Sequence, residues 1–240
     1  MVLGGGLVGA GIAAAVVAVI SGTDITVSTF VWTFVGQAAG SFVVLIYLSR
    51  TRGTGSLATD FGFELLLKHW WGLPAGAVLQ IAAAVVTAPL VQLLFPEGPP
   101  EQGVVTITEG SKSTVDAILI ITAVGLLAPV VEEIIFRGML LARLMRSMSM
   151  WWAIIAQAAV FAGIHLVDPS AIAALPGLFL IGVALGYAAI RSGSLSLPIF
   201  LHAGVNLTAA LLLIYGGDLL TRLEEMTGVE PAESVIRLLF

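Results

Sequence analysis

Residues 115–145 read VDAILIITAVGLLAPVVEEIIFRGMLLARLM, and this stretch decides the fold. Its first 17 residues carry one charge, Asp116. An apolar run of this length is a membrane span. At about 1.5 Å per residue a 31-residue helix reaches about 46 Å, against a hydrocarbon core of about 30 Å. It must therefore tilt, kink or project into water, and Pro129 is the candidate kink. Inside the same stretch stand Glu132, Glu133 and Arg137. Each such group costs roughly 2.5–3.5 kcal/mol at the bilayer centre on insertion scales. They persist in a span only if they face a polar interior and find partners there.

Outward from this helix the chain has the same character. Of its 240 residues 58% are hydrophobic and 10% charged, where a soluble domain carries about 25% charged residues. Its solvent must be lipid, and length then counts helices. The spans fall at about 3–20, 30–48, 71–95, 115–145, 151–167, 171–190 and 197–215. The expected fold is all-α: a polytopic transmembrane helix bundle of about seven spans, eight where one helix is broken or re-entrant, with its site in the interior. We read one integral membrane domain over 1–240, a catalytic-type core over 115–215, and a polar, amphipathic tail over 218–240. The first 20 residues have no basic n-region and no small-residue cleavage site after them, so they read as a retained span.

Lys/Arg placement sets orientation. With a cytoplasmic N-terminus, Arg50, Arg52, Lys68, Arg143, Arg146 and Arg191 all fall on the cytoplasmic side. Trp70, Trp71, Trp151 and Trp152 mark the same face. Small residues four apart, Gly5 with Gly9 and Gly182 with Gly186, are expected to let helices approach closely. The chain has no cysteine, which removes disulfides, thiolate nucleophiles and Cys-ligated zinc. Nothing resembles a phosphate loop or a nucleic-acid patch. Ser194 and Ser196 read as helix caps, and His69 as an interfacial histidine.

Helix geometry sorts the ionisable residues. Glu133 and Arg137 are i, i+4 and share a face, which suits an internal ion pair. Glu132 is turned by about 100° from Glu133 and is freer for chemistry. A carboxylate without a counter-ion in a low-dielectric site suits general-base work. His202 and Asn206 are again i, i+4 and offer two donors on one face, a pattern that can stabilise an oxyanion. His165 stands one turn after Phe161 and could help Glu132 hold a water. Each pair alone also reads as structural: an ion pair, a helix-end histidine, a bridge between helices. Together they point to one cavity suited to hydrolysis by an activated water.

Glu132-Glu133-Ile134-Ile135-Phe136-Arg137 resembles EExxxR, the first motif of the CPBP family of membrane endopeptidases. That family includes the Rce1-like CAAX prenyl proteases and bacteriocin-processing proteins. Phe161 through His165 is similar to its FxxxH motif, and His202 through Asn206 to its HxxxN motif. The resemblance implies an intramembrane endopeptidase in which Glu132 and His165 activate water and His202 and Asn206 hold the oxyanion. Glu133, Arg137, Phe136 and Phe161 would support them. It implies no cofactor, with zinc on Glu132, His165 and His202 as the alternative. The expected partners are membrane lipid and a peptide or lipidated-protein substrate, with membrane-protein partners and self-association left open. The expected location is a prokaryotic cell membrane. The competing function is a non-catalytic immunity protein or accessory subunit using the same polar cavity. A proton relay or small transporter is a third reading, disfavoured by the lack of inverted repeats.

Overall fold

The computed structural model describes residues 27–100 and 113–227. These fold as helices joined by short turns. Helix α1 (Val27–Arg52) leads through a short α2 (Leu57–Phe61) to α3 (Gly72–Leu94). Helix α4 (Thr114–Leu144) is followed by α5 (Met150–Ile164), α6 (Leu175–Ser192) and α7 (Ser196–Thr227). Six helices among the described residues are long and apolar enough to cross a membrane. They match the expected spans from 30–48 onward, so the chain is an integral membrane protein with a helical bundle. The expected span at 3–20 and the Gly5–Gly9 pair lie outside the described residues, as does the tail beyond Thr227. The last helix does not stop at Tyr215. It passes Gly216 and Gly217 because the residues after them, from Leu219 to Met226, are mostly strong helix formers.

Around Pro129 the long helix α4 departs from regular α-helical register. Two π-helical stretches, Ala123–Leu127 and Ile134–Leu141, flank a short regular segment, Ala128–Glu133. At the first of these the Ala128 N–H reaches back to the Ala123 carbonyl, five residues away. The wider turn makes room for the Pro129 ring, which would otherwise collide with the preceding turn. Pro129 is fully buried, so it disturbs the helix interior and not its surface.

Close approach between helices is set by glycine. Gly76 of α3 and Gly204 of α7 face each other. A Cβ on Gly204 would run into the Leu73 carbonyl, and one on Gly76 into the Leu201 carbonyl. Gly182 and Gly186 of α6 perform the packing expected of them against α5. A Cβ on Gly182 would stand 3.1 Å from Ala158, and one on Gly186 would stand 2.6 Å from Gln157 Nε2. Ala38 and Leu45 of α1 pack on Val131, Ile134 and Ile135 of α4, closing the core around the acidic pair.

Candidate functional site

Linear reading leaves a depth problem: His165 near one end of its span, His202 near the other, and Glu132 between them. The structure brings His202 to the acids by direct contact: its Nδ1 lies 2.7 Å from Glu133 Oε1, and Leu195, Ser196 and Ile199 at the start of α7 are buried. Helix α5 runs 15 residues as regular α-helix and continues as a tighter turn over His165–Val167. The segment after it does not dip into the bundle; Val167 is 78% exposed. Ser196 is also not the cap expected from sequence. Its hydroxyl bonds the Leu66 N–H at 2.8 Å and the Leu66 carbonyl at 3.0 Å, tying the start of α7 to the segment before α3. Ser194 Oγ, two residues before the helix begins, accepts from the Ser196 N–H at 3.0 Å.

Glu133 and Arg137 form the internal ion pair, Nη1 to Oε1 2.7 Å, with both side chains fully buried. The same Oε1 accepts from His202 Nδ1 at 2.7 Å. Carboxylate acceptance fixes the hydrogen on Nδ1 of His202 and turns Nε2 toward Glu132, whose Oε2 lies 3.8 Å away. Arg137 is held from behind by the Gly182 carbonyl at 3.3 Å, which also takes Gln157 Nε2 at 2.8 Å. Its guanidinium lies over the Phe161 ring at 4.6 Å. Gln157 is fully buried, and no motif pointed to it; a lone glutamine in an apolar span was the available signal.

His165 donates Nδ1–H to the Phe161 carbonyl at 2.8 Å, because a carbonyl can only accept. Its Nε2 is left for another partner. Phe161 is the hub: its ring meets Phe136 at 5.1 Å, His165 at 5.2 Å and His202 at 5.6 Å, all edge-on. Phe136 and Phe161 thus support the site by packing. His165 makes no ion pair with Glu132; the two are connected through Phe161 and His202.

Asn206 does something that sequence spacing could not show. Its Nδ2 donates to the Val124 carbonyl at 2.8 Å. In the π register that carbonyl should receive the N–H five residues on, which is Pro129 and has none. The Ala128 N–H is already spent on Ala123. Asn206 fills the vacancy that proline creates. His202 and Asn206 share a face, as expected. Their partners stand nine residues apart on α4, at Glu133 and Val124.

Glu132 differs from its neighbour. Its side chain is 27% exposed and lines a cavity of ≈ 20 Å³ with Gln37, Phe34 and Val131. That is room for about one water molecule. The three side chains that zinc would take, Glu132, His165 and His202, do not converge. Among the described residues no three His, Asp or Glu side chains stand close enough to hold a metal ion. Each histidine uses Nδ1 within the protein, His202 on Glu133 and His165 on the Phe161 carbonyl.

Residues 114–208 match the family model described as type II CAAX prenyl endopeptidase Rce1-like. An uncharacterized 24.3 kDa protein of Escherichia coli is 35% identical over 106 residues, covering 43% of this chain and 48% of that relative. The chain thus spans about half the length of the curated relative it matches. No solved structure matches. Every ionisable or amide side chain predicted for the site falls inside the matched segment.

Proposed function

We propose that this protein is an intramembrane endopeptidase that cleaves a peptide bond of a membrane-associated peptide or protein using water activated at Glu132. The observation that carries the reading is the division of labour between adjacent carboxylates. Glu133 is buried and committed to Arg137 and His202, while Glu132 is turned to a crevice with room for one water. The family match supports the same reaction class.

In this reading Glu132 takes a proton from the water as its oxygen bonds to the peptide carbonyl carbon. The carbonyl π electrons move onto oxygen. His202, oriented through Nδ1 by Glu133, offers Nε2–H to that oxyanion when its ring is protonated, and the second N–H of Asn206 is the other candidate donor. Glu132 then returns the proton to the leaving nitrogen as the C–N bond breaks. His165 presents Nε2 as a further acceptor for water or substrate N–H. The buried rings of Phe161 and Phe136 pack against the histidines and exclude water from that side, which strengthens each interaction. The peptide class fits a lipidated C-terminal segment, as the family description suggests.

The test is cleavage of a peptide panel, prenylated and unmodified, by purified protein with and without chelator. Glu132→Gln should abolish cleavage and His165→Ala should lower it at least 100-fold. Both variants should insert and purify normally. Wild-type turnover by Glu132→Gln would overturn the assignment.

A further inference from the structure

Gln37 is a polar side chain inside the span Val31–Arg52, in the half of the chain that the family match does not reach. It is exposed on α1 and has no hydrogen-bond partner among the described residues. A bare amide at membrane depth is unfavourable unless water or a ligand satisfies it. Its surroundings supply the place. Gln37 lines the same ≈ 20 Å³ cavity as Glu132, and the other lining side chains, among them Phe34, Ala38, Leu127 and Val131, are apolar. A cavity of that size holds about one water, which needs two or more polar partners. Only Gln37 and Glu132 can provide them from side chains.

We propose that Gln37 is a positioning residue for the attacking water. One water hydrogen goes to Glu132 and the other to Gln37 Oε1. The apolar lining offers no side-chain donor, so a lone pair is left for the peptide carbonyl. This rests on Glu132 as the general base. It adds that the first described helix completes a site whose other members all come from residues 114–208.

The experiment compares Gln37→Leu and Gln37→Asn with wild type in two readouts. In the cleavage assay Gln37→Leu should lower kcat about 10- to 100-fold with KM within twofold, because only the water loses a partner. Gln37→Asn, which keeps the amide, should recover part of that loss. In infrared spectra the carboxyl bands of Glu132, assigned by their loss in Glu132→Gln, should shift in Gln37→Leu. The second readout needs no turnover. If wild type cleaves no peptide yet the bands shift, the shared water stands and the protease reading falls. If wild type cleaves and Gln37→Leu keeps its kcat, the Gln37 proposal falls and the protease reading stands. Unshifted Glu132 bands overturn the proposal in either case.

Discussion

Replacing Glu133 by glutamine should cost far more stability than the same change at Glu132, one residue away. Glu133 Oε1 receives both Arg137 Nη1 and His202 Nδ1 at 2.7 Å, and its side chain is fully buried. Glutamine keeps the shape and one acceptor but removes the charge. Arg137, also fully buried, is then an uncompensated cation with the Gly182 carbonyl and the Phe161 face as its remaining partners. Breaking a buried pair in this way costs about 3–5 kcal/mol. Glu132 is 27% exposed, and His202 Nε2 lies 3.8 Å from its Oε2. Its neutralisation should cost about 0.5 kcal/mol or less. At about 2–4 °C per kcal/mol for a chain of this size, Glu133→Gln should lower Tm by about 6–20 °C and Glu132→Gln by about 2 °C at most. Thermal unfolding in one detergent measures both. Adding Arg137→Met to Glu133→Gln should restore at least half the loss, since the unpaired charge is then gone. Equal midpoints for the two glutamine variants would refute the reasoning.

Other outcomes follow from the packing. Gly204→Ala should lower stability by about 1–3 kcal/mol, because its methyl group meets the Leu73 carbonyl, and should disturb His202 two residues away; thermal unfolding and cleavage report the two effects. Asn206→Ala should cost about 1–3 kcal/mol by orphaning the Val124 carbonyl, and Pro129→Ala in that background should recover part of it by supplying an N–H; a double-mutant cycle measures the coupling. Asp60, between the spans, holds the turn after α1 by accepting from the Ser49 hydroxyl and from Thr54 N–H at 2.9 Å. These bonds, the Ser49 one foremost, hold its carboxyl below the ordinary value of 3.8. With a depressed folded value, the stabilisation is present above pH 3.8 and is lost as pH falls through the lower folded value. The protection of the Thr54 amide, relative to its intrinsic exchange rate, should therefore hold from pH 5 down to 3.8 and fall only below that, while Asp60→Asn should be less protected at pH 5.

The membrane bundle was legible because lipid leaves helices few alternatives. The composition and the apolar runs alone require spans, and i, i+4 spacing alone pairs Glu133 with Arg137 and aligns His202 with Asn206. The three motifs named the candidate side chains for the same local reason: each lies within two turns of one helix. What spacing cannot carry is depth, register between helices, or the distortion of a helix by its own proline. The buried start of α7 and the π turns of α4 go with the contact of His202 with Glu133. These depend on how buried backbone groups find partners across the bundle, which is a tertiary matter. The same holds for Asn206, whose partner is a carbonyl left bare by Pro129 in another helix. Gln37 and Gln157 were invisible to motif reading because a single amide in an apolar run has no periodic signal. By itself, the sequence determined the membrane bundle, the ion pair and the set of side chains that could do chemistry. Only the folded arrangement decided that the paired glutamate also holds the histidine of α7 and that its neighbour faces a water-sized crevice, because both depend on contacts between helices.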